Sequence, residues 1–150
     1  MESDLRLHTS KHAFPVYDQY CGEDKLFPQK SYMYFWCVVL VYRQSPDILP
    51  PKLGRNRKGE VHYGAFDEEV QKPFLKMIAV EANQDFKILS KESDSKSHNR
   101  FRDIIQSYAE LGFSILNTQM GGKYTADKLM ELLIDNSQVT QSYKPKQKRK

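Results

Sequence analysis

The chain has 150 residues, a length that suits one domain with short tails. Seven glycines and seven prolines exclude collagen-like and low-complexity chains, while 8 Phe, 9 Tyr and 1 Trp supply enough ring mass to close a core. The net charge is +4, yet the last seven residues hold five bases and no acid, which leaves −1 for residues 1–143. The basic character therefore belongs to a tail and not to the body.

Residues 1–31 read as an irregular arm, with Pro15, Gly22 and Pro28 preventing any long element. A short helix near Asp4 to His12 is expected, and Phe14, Tyr17, Tyr20 and Phe27 would pack the arm onto the domain. No basic stretch followed by an apolar one opens the chain, so no secretory signal is expected. From Tyr32 to Tyr42 the run YMYFWCVVLVY is aromatic and β-branched, which predicts a strand buried on both faces. Eleven residues are too few to span a bilayer.

Residues 44–59, QSPDILPPKLGRNRKG, form the clearest loop, with three prolines and two glycines. EVHYGAF should resume as a strand, with Gly64 at a bulge. Residues 67–82 fit two elements. Leu75, Ile78, Ala79 and Ala82 keep helical spacing, whereas Ile78, Val80 and Pro73 favour a strand from Leu75 to Val80, the reading adopted here. Phe86 and Ile88 alternate with polar residues and predict another short strand.

After the polar connector 90–97, Ser97 is a candidate cap for a helix ending at Leu111. Phe101, Ile104, Ile105, Tyr108 and Leu111 line one face, and Gly112 would supply the left-handed C-terminal position. A strand Phe113–Leu116 and a Gly121-Gly122 turn should follow. Thr125 then caps a last helix, 126–136, with Leu129, Leu132 and Leu133 inward. The fold class is α+β: a small, mostly antiparallel sheet seeded by Tyr32–Tyr42, with two C-terminal amphipathic helices packed on one face. The domain runs over 32–136, and 137–150 form a flexible basic tail.

Enzymatic chemistry finds little support. Gly122-Lys123 lacks the first glycine and the hydroxyl residue of a phosphate loop, where Asn117 and Tyr124 stand. His8, His12, Cys21 and Cys37 could offer four zinc ligands, but without the close cysteine spacing of structural sites. Asp67, Glu81 and Asp85 suit a metal-dependent nuclease, although the lysine expected two residues after Glu81 is Asn83. No nucleophile elbow exists, and Cys37 lies inside the apolar run, as a reduced and buried thiol. The two cysteines point to a reducing, intracellular compartment. No catalytic residue, metal ligand or cofactor is assigned.

Binding chemistry is better represented. Lys52, Arg55, Arg57 and Lys58 place four positive charges in seven residues, followed by Tyr63. Cations reach phosphates and planar rings stack on unpaired bases, so this loop suits single-stranded DNA or RNA. Lys144, Lys146, Lys148, Arg149 and Lys150 read as a nuclear-localisation run or as an electrostatic arm for nucleic acid. The function expected is a non-enzymatic nucleic-acid-binding protein within a larger assembly. An adaptor docking through its aromatic N-terminal arm is the alternative, with the nuclease third. No lipidation site or amphipathic anchor points to a membrane.

Overall fold

The computed structural model describes residues 5–44, 57–89 and 95–132. Its class is α+β, mostly helical with one small sheet. That sheet is not seeded by Tyr32–Tyr42. It pairs β1 (Arg6–His8) antiparallel with β2 (Glu60–His62), in the register Arg6 to His62, Leu7 to Val61 and His8 to Glu60. Leu7 and Val61 face each other across the inner side and are buried, while Arg6 pairs with Glu60 at 3.2 Å on the outer side. The helix expected near Asp4 to His12 is thus a strand, because its Leu7 has Val61 as a partner that local sequence does not show.

Ser10 turns the chain into α1 (Phe14–Tyr20). Its hydroxyl accepts the Ala13 N–H at 3.0 Å and donates to Glu110 Oε2 at 2.9 Å, so one side chain both caps and tethers. Pro15 stands in the first turn, where its missing N–H costs nothing. A tight turn then brings the Phe27 N–H onto Tyr20 O at 3.0 Å, with Gly22 in a positive-φ conformation.

The expected strand 32–42 is a helix, α2 (Lys30–Gln44). A uniformly apolar run carries no period, and eleven residues exceed the usual strand, so length was the better guide than β-propensity. α2 touches α1, β2 and the long helix over 95–120, and a helix sheathed this way can be apolar nearly all round. Ser31, Met33, Tyr34, Cys37, Val38, Leu40 and Val41 are all buried.

EVHYGAF keeps its strand only through His62, and Gly64 sits in a 3-10 turn, Tyr63–Ala65. In the stretch 67–82 the chain forms a helix, α3 (Gln71–Asn83), against the strand expected from Leu75 to Val80. Leu75, Ile78 and Ala79 are its buried face, as helical spacing requires. Asp67 sets the start: its Oδ1 accepts the N–H groups of Glu69, Val70 and Gln71 at 3.1, 2.6 and 3.0 Å. Gln71 returns a bond to the Asp67 N–H at 3.0 Å, a reciprocal cap. Phe86–Leu89 form a 3-10 turn and not a strand.

α4 (Ser95–Met120) runs through Gly112 and through the expected strand 113–116. The apolar stripe continues as Phe113, Leu116 and Met120, all buried. Gly112 is consequently no helix end. A Cβ built there would lie 1.9 Å from Cys37 O and 2.4 Å from Cys37 C, so its bare backbone lets α2 touch α4. Glycine inside a helix costs about 1 kcal/mol against alanine. The close approach of the two helices offsets that cost. Gly121 and Gly122 make the expected turn with φ of 65° and 91°. Thr125 Oγ1 accepts the Lys128 N–H at 3.2 Å, capping residues 126–132 as helix.

Candidate nucleic-acid interface

The sheet edge positions the end of the basic loop. Beyond His8 the ladder continues irregularly: Lys58 N donates to Thr9 O at 2.8 Å, and Thr9 N donates to Gly59 O at 3.0 Å. Gly59 N also donates to Thr9 Oγ1 at 3.2 Å. A Cβ on Gly59 would stand 2.5 Å from Phe14 Cδ1 and 2.6 Å from Thr9 Oγ1. The Phe14 ring therefore lies against this strand because residue 59 has no side chain.

Two ammonium groups meet at that ring. Lys58 Nζ stands over Phe14 at 5.5 Å from the centroid, and Lys30 Nζ over the same ring at 5.0 Å. Both separations fall within cation–π range. Lys30 opens α2 and faces Asp18 at 3.7 Å, while Lys25 Nζ donates to Asp18 O at 3.0 Å. Arg57 is half-buried and directly precedes Lys58 in the chain. Nearby in the core, the buried Tyr34 hydroxyl donates to His8 O at 3.2 Å. Glu110 is the acid beneath this region. Burial raises its pKa, against the opposing effects of the Ser10 hydrogen bond and the His12 charge.

Of the residues singled out by sequence, Lys58 stands over Phe14 and Arg57 precedes it in the chain. Lys52 and Arg55 lie outside the described residues, as do Lys144, Lys146, Lys148, Arg149 and Lys150. Tyr63 is elsewhere: it is 1% exposed, with Phe66 and Phe101 against its ring. Lys72 is buried too, its amine paired with Glu68 and 5.2 Å from the Tyr63 centroid. A ring so enclosed offers no face to a base, so Tyr63 is a core residue and not a stacking residue. Lys30 and Phe14 were missed, because nothing local links positions 14, 30 and 58.

The other chemistries also find their places. Tyr17 and Phe27 are buried in the core, while Phe14 and Tyr20 are half-buried. Asp67 is committed to its cap, and the N–H groups it accepts lower its pKa. His8 is held by Gln106 Oε1 at 2.9 Å and faces Glu60 at 3.6 Å. Among the described residues, no three His, Cys, Asp or Glu side chains gather as metal ligands. Cys21 and Cys37 are free and buried, and burial pushes each thiol up to about 12, which suppresses thiolate reactivity. Phe86, 77% exposed, borders an open apolar groove with Tyr42, Met77 and Val80. Among the described residues, no helix is long and apolar enough to cross a membrane.

No curated protein and no solved structure matches this chain. Residues 35–149 match the model of a protein family described as DNA sulphur modification system-associated protein 4. The match starts within α2, takes in Arg57 and Lys58, and reaches into the basic tail. It covers over three quarters of the chain, which therefore belongs to the family of DNA sulphur modification system-associated protein 4.

Proposed function

We propose that this protein is a non-catalytic component of a DNA sulphur modification assembly and contacts nucleic acid through its basic end. Family membership supports the setting. The observation that carries the reading is the meeting of Lys30 and Lys58 over Phe14, at the base of the loop that bears Lys52, Arg55 and Arg57. Lysines held near one another on a surface neutralise phosphates and release counterions, giving salt-dependent affinity. The tail bases Lys144, Lys146, Lys148, Arg149 and Lys150 add sequence-independent attraction of the same kind.

The test is fluorescence anisotropy on labelled DNA across a salt series, with the full chain throughout. One variant carries Lys30→Ala and Lys58→Ala, and a second replaces the five tail bases with glutamine. Each lost phosphate contact should reduce the slope of log K against log salt by about 0.9 on duplex. Thermal stability of the double variant should stay within about 0.5 kcal/mol of wild type, as for most surface substitutions. Undiminished affinity and slope in the double variant would remove this face from the reading.

A further inference from the structure

We infer that the nucleic acid taken by this face is a duplex gripped by its phosphates, and not a single strand read through its unstacked bases. The inference rests on the proposal that the basic end contacts nucleic acid. Single-strand binders combine positive charge with open aromatic faces, on which successive bases stack. Among the described residues, the lysine pair supplies charge without an open ring face beside it.

The ring beside the lysines is already occupied, and the core rings Tyr34, Tyr63 and Phe66 are buried. Phe14 is half-buried, and the ammonium groups of Lys30 and Lys58 stand over it. Tyr34 and Phe66 are buried against each other, and Tyr63 is sealed between Phe66 and Phe101. The sequence 45–56, SPDILPPKLGRN, contains no aromatic residue.

Among the described residues, the exposed rings lie elsewhere. Tyr32 is exposed, but two residues along α2 from Lys30 is a rotation of about 200°, which turns it away from that lysine. Phe86 lines the groove that includes Tyr42, twelve residues beyond Lys30 on α2 and so about 18 Å along its axis. Neither ring shares a surface with the lysine pair. Lysine presents a compact point charge with no plane to stack. A duplex also carries one phosphate charge per about 1.7 Å of axis, against about 3.4 Å for one of its strands. Point charges gain most on the denser array.

The deciding experiment compares a labelled duplex with each of its separated strands by anisotropy, between about 50 and 200 mM salt. It uses the full chain and the Lys30→Ala/Lys58→Ala variant, with circular dichroism to verify that both fold alike. The expected result is duplex binding on the order of tenfold tighter than either strand, with the preference shrinking in the variant. Equal or tighter single-strand binding overturns the inference while leaving the DNA-contacting reading in place. A single-strand preference abolished by Tyr32→Ala or Phe86→Ala would also identify the ring responsible. Absence of binding to duplex and strands alike at the lowest salt overturns the reading itself, and this inference with it.

Discussion

Where α2 crosses α4, backbone meets backbone: Gly112 leaves no room for even a methyl group against Cys37. At the start of the same α2, Lys30 reaches over Phe14 toward Lys58, and all three side chains keep contact with solvent. The first region is fixed by shape and tolerates almost no added atom. The second is fixed by a strand edge and a ring, and its charges ride on that support without being needed for it. Stability and binding should therefore separate by mutation in this molecule, since one helix carries the seam and the basic end at different places.

Gly112→Ala is the sharpest way to break the seam. The clash is with carbonyl and Cα atoms that cannot rotate aside, so α2 and α4 must part. The loss should exceed the roughly 1–3 kcal/mol usual for overfilling a core, and chemical denaturation would measure it. A wild-type midpoint would show that the two helices do not approach as described.

Gly59→Ala probes the support under the lysines. Its Cβ would meet the edge of Phe14 and the Thr9 hydroxyl, both side-chain atoms that can shift. A loss of about 1–3 kcal/mol is expected, smaller than at Gly112. Because Phe14 must move, DNA affinity should fall along with stability, whereas substitution of Lys30 and Lys58 should lower affinity alone. Unchanged DNA affinity in Gly59→Ala would separate the ring from the site.

The smallest effect concerns Glu110, which lies under the basic end and is partly buried on α4. Burial raises its folded pKa above the ordinary 4.5, so the charged form is the disfavoured one. Native Glu110 then binds its proton more readily than the unfolded chain does. Its contribution to stability rises as pH falls from neutrality through the folded pKa, and levels off below 4.5. Glu110→Gln keeps an acceptor for Ser10 and should flatten that part of the stability–pH curve, a change read from denaturation midpoints over the range. Asp67 acts with the opposite sign and at lower pH: its pKa lies below 3.8, so its cap is lost on acidification past that value. An unaltered curve for Glu110→Gln would show that the carboxylate is solvated.

Features that depend on near neighbours are legible along the chain. The stripe Phe101, Ile104, Ile105 and Tyr108 announced the inner face of α4, because a helix repeats its face every three or four residues. Thr125 announced a cap, and Gly121-Gly122 a turn, because both act within a few residues along the chain. The charge clusters were equally plain, since charge needs no partner to be counted. Tertiary structure decided the rest. An apolar run without period, Tyr32–Tyr42, is compatible with strand or helix until its surroundings are known, and burial on nearly all sides made it α2. Gly112 looked like a helix end because local rules see a glycine after an apolar stripe, whereas its meaning lies in Cys37, seventy-five residues earlier in the chain. Tyr63 belonged to the core, and Lys30 joined Lys58, through contacts that span long stretches of sequence. Periodicity records which way a side chain faces along its own element; only packing decides what it meets there.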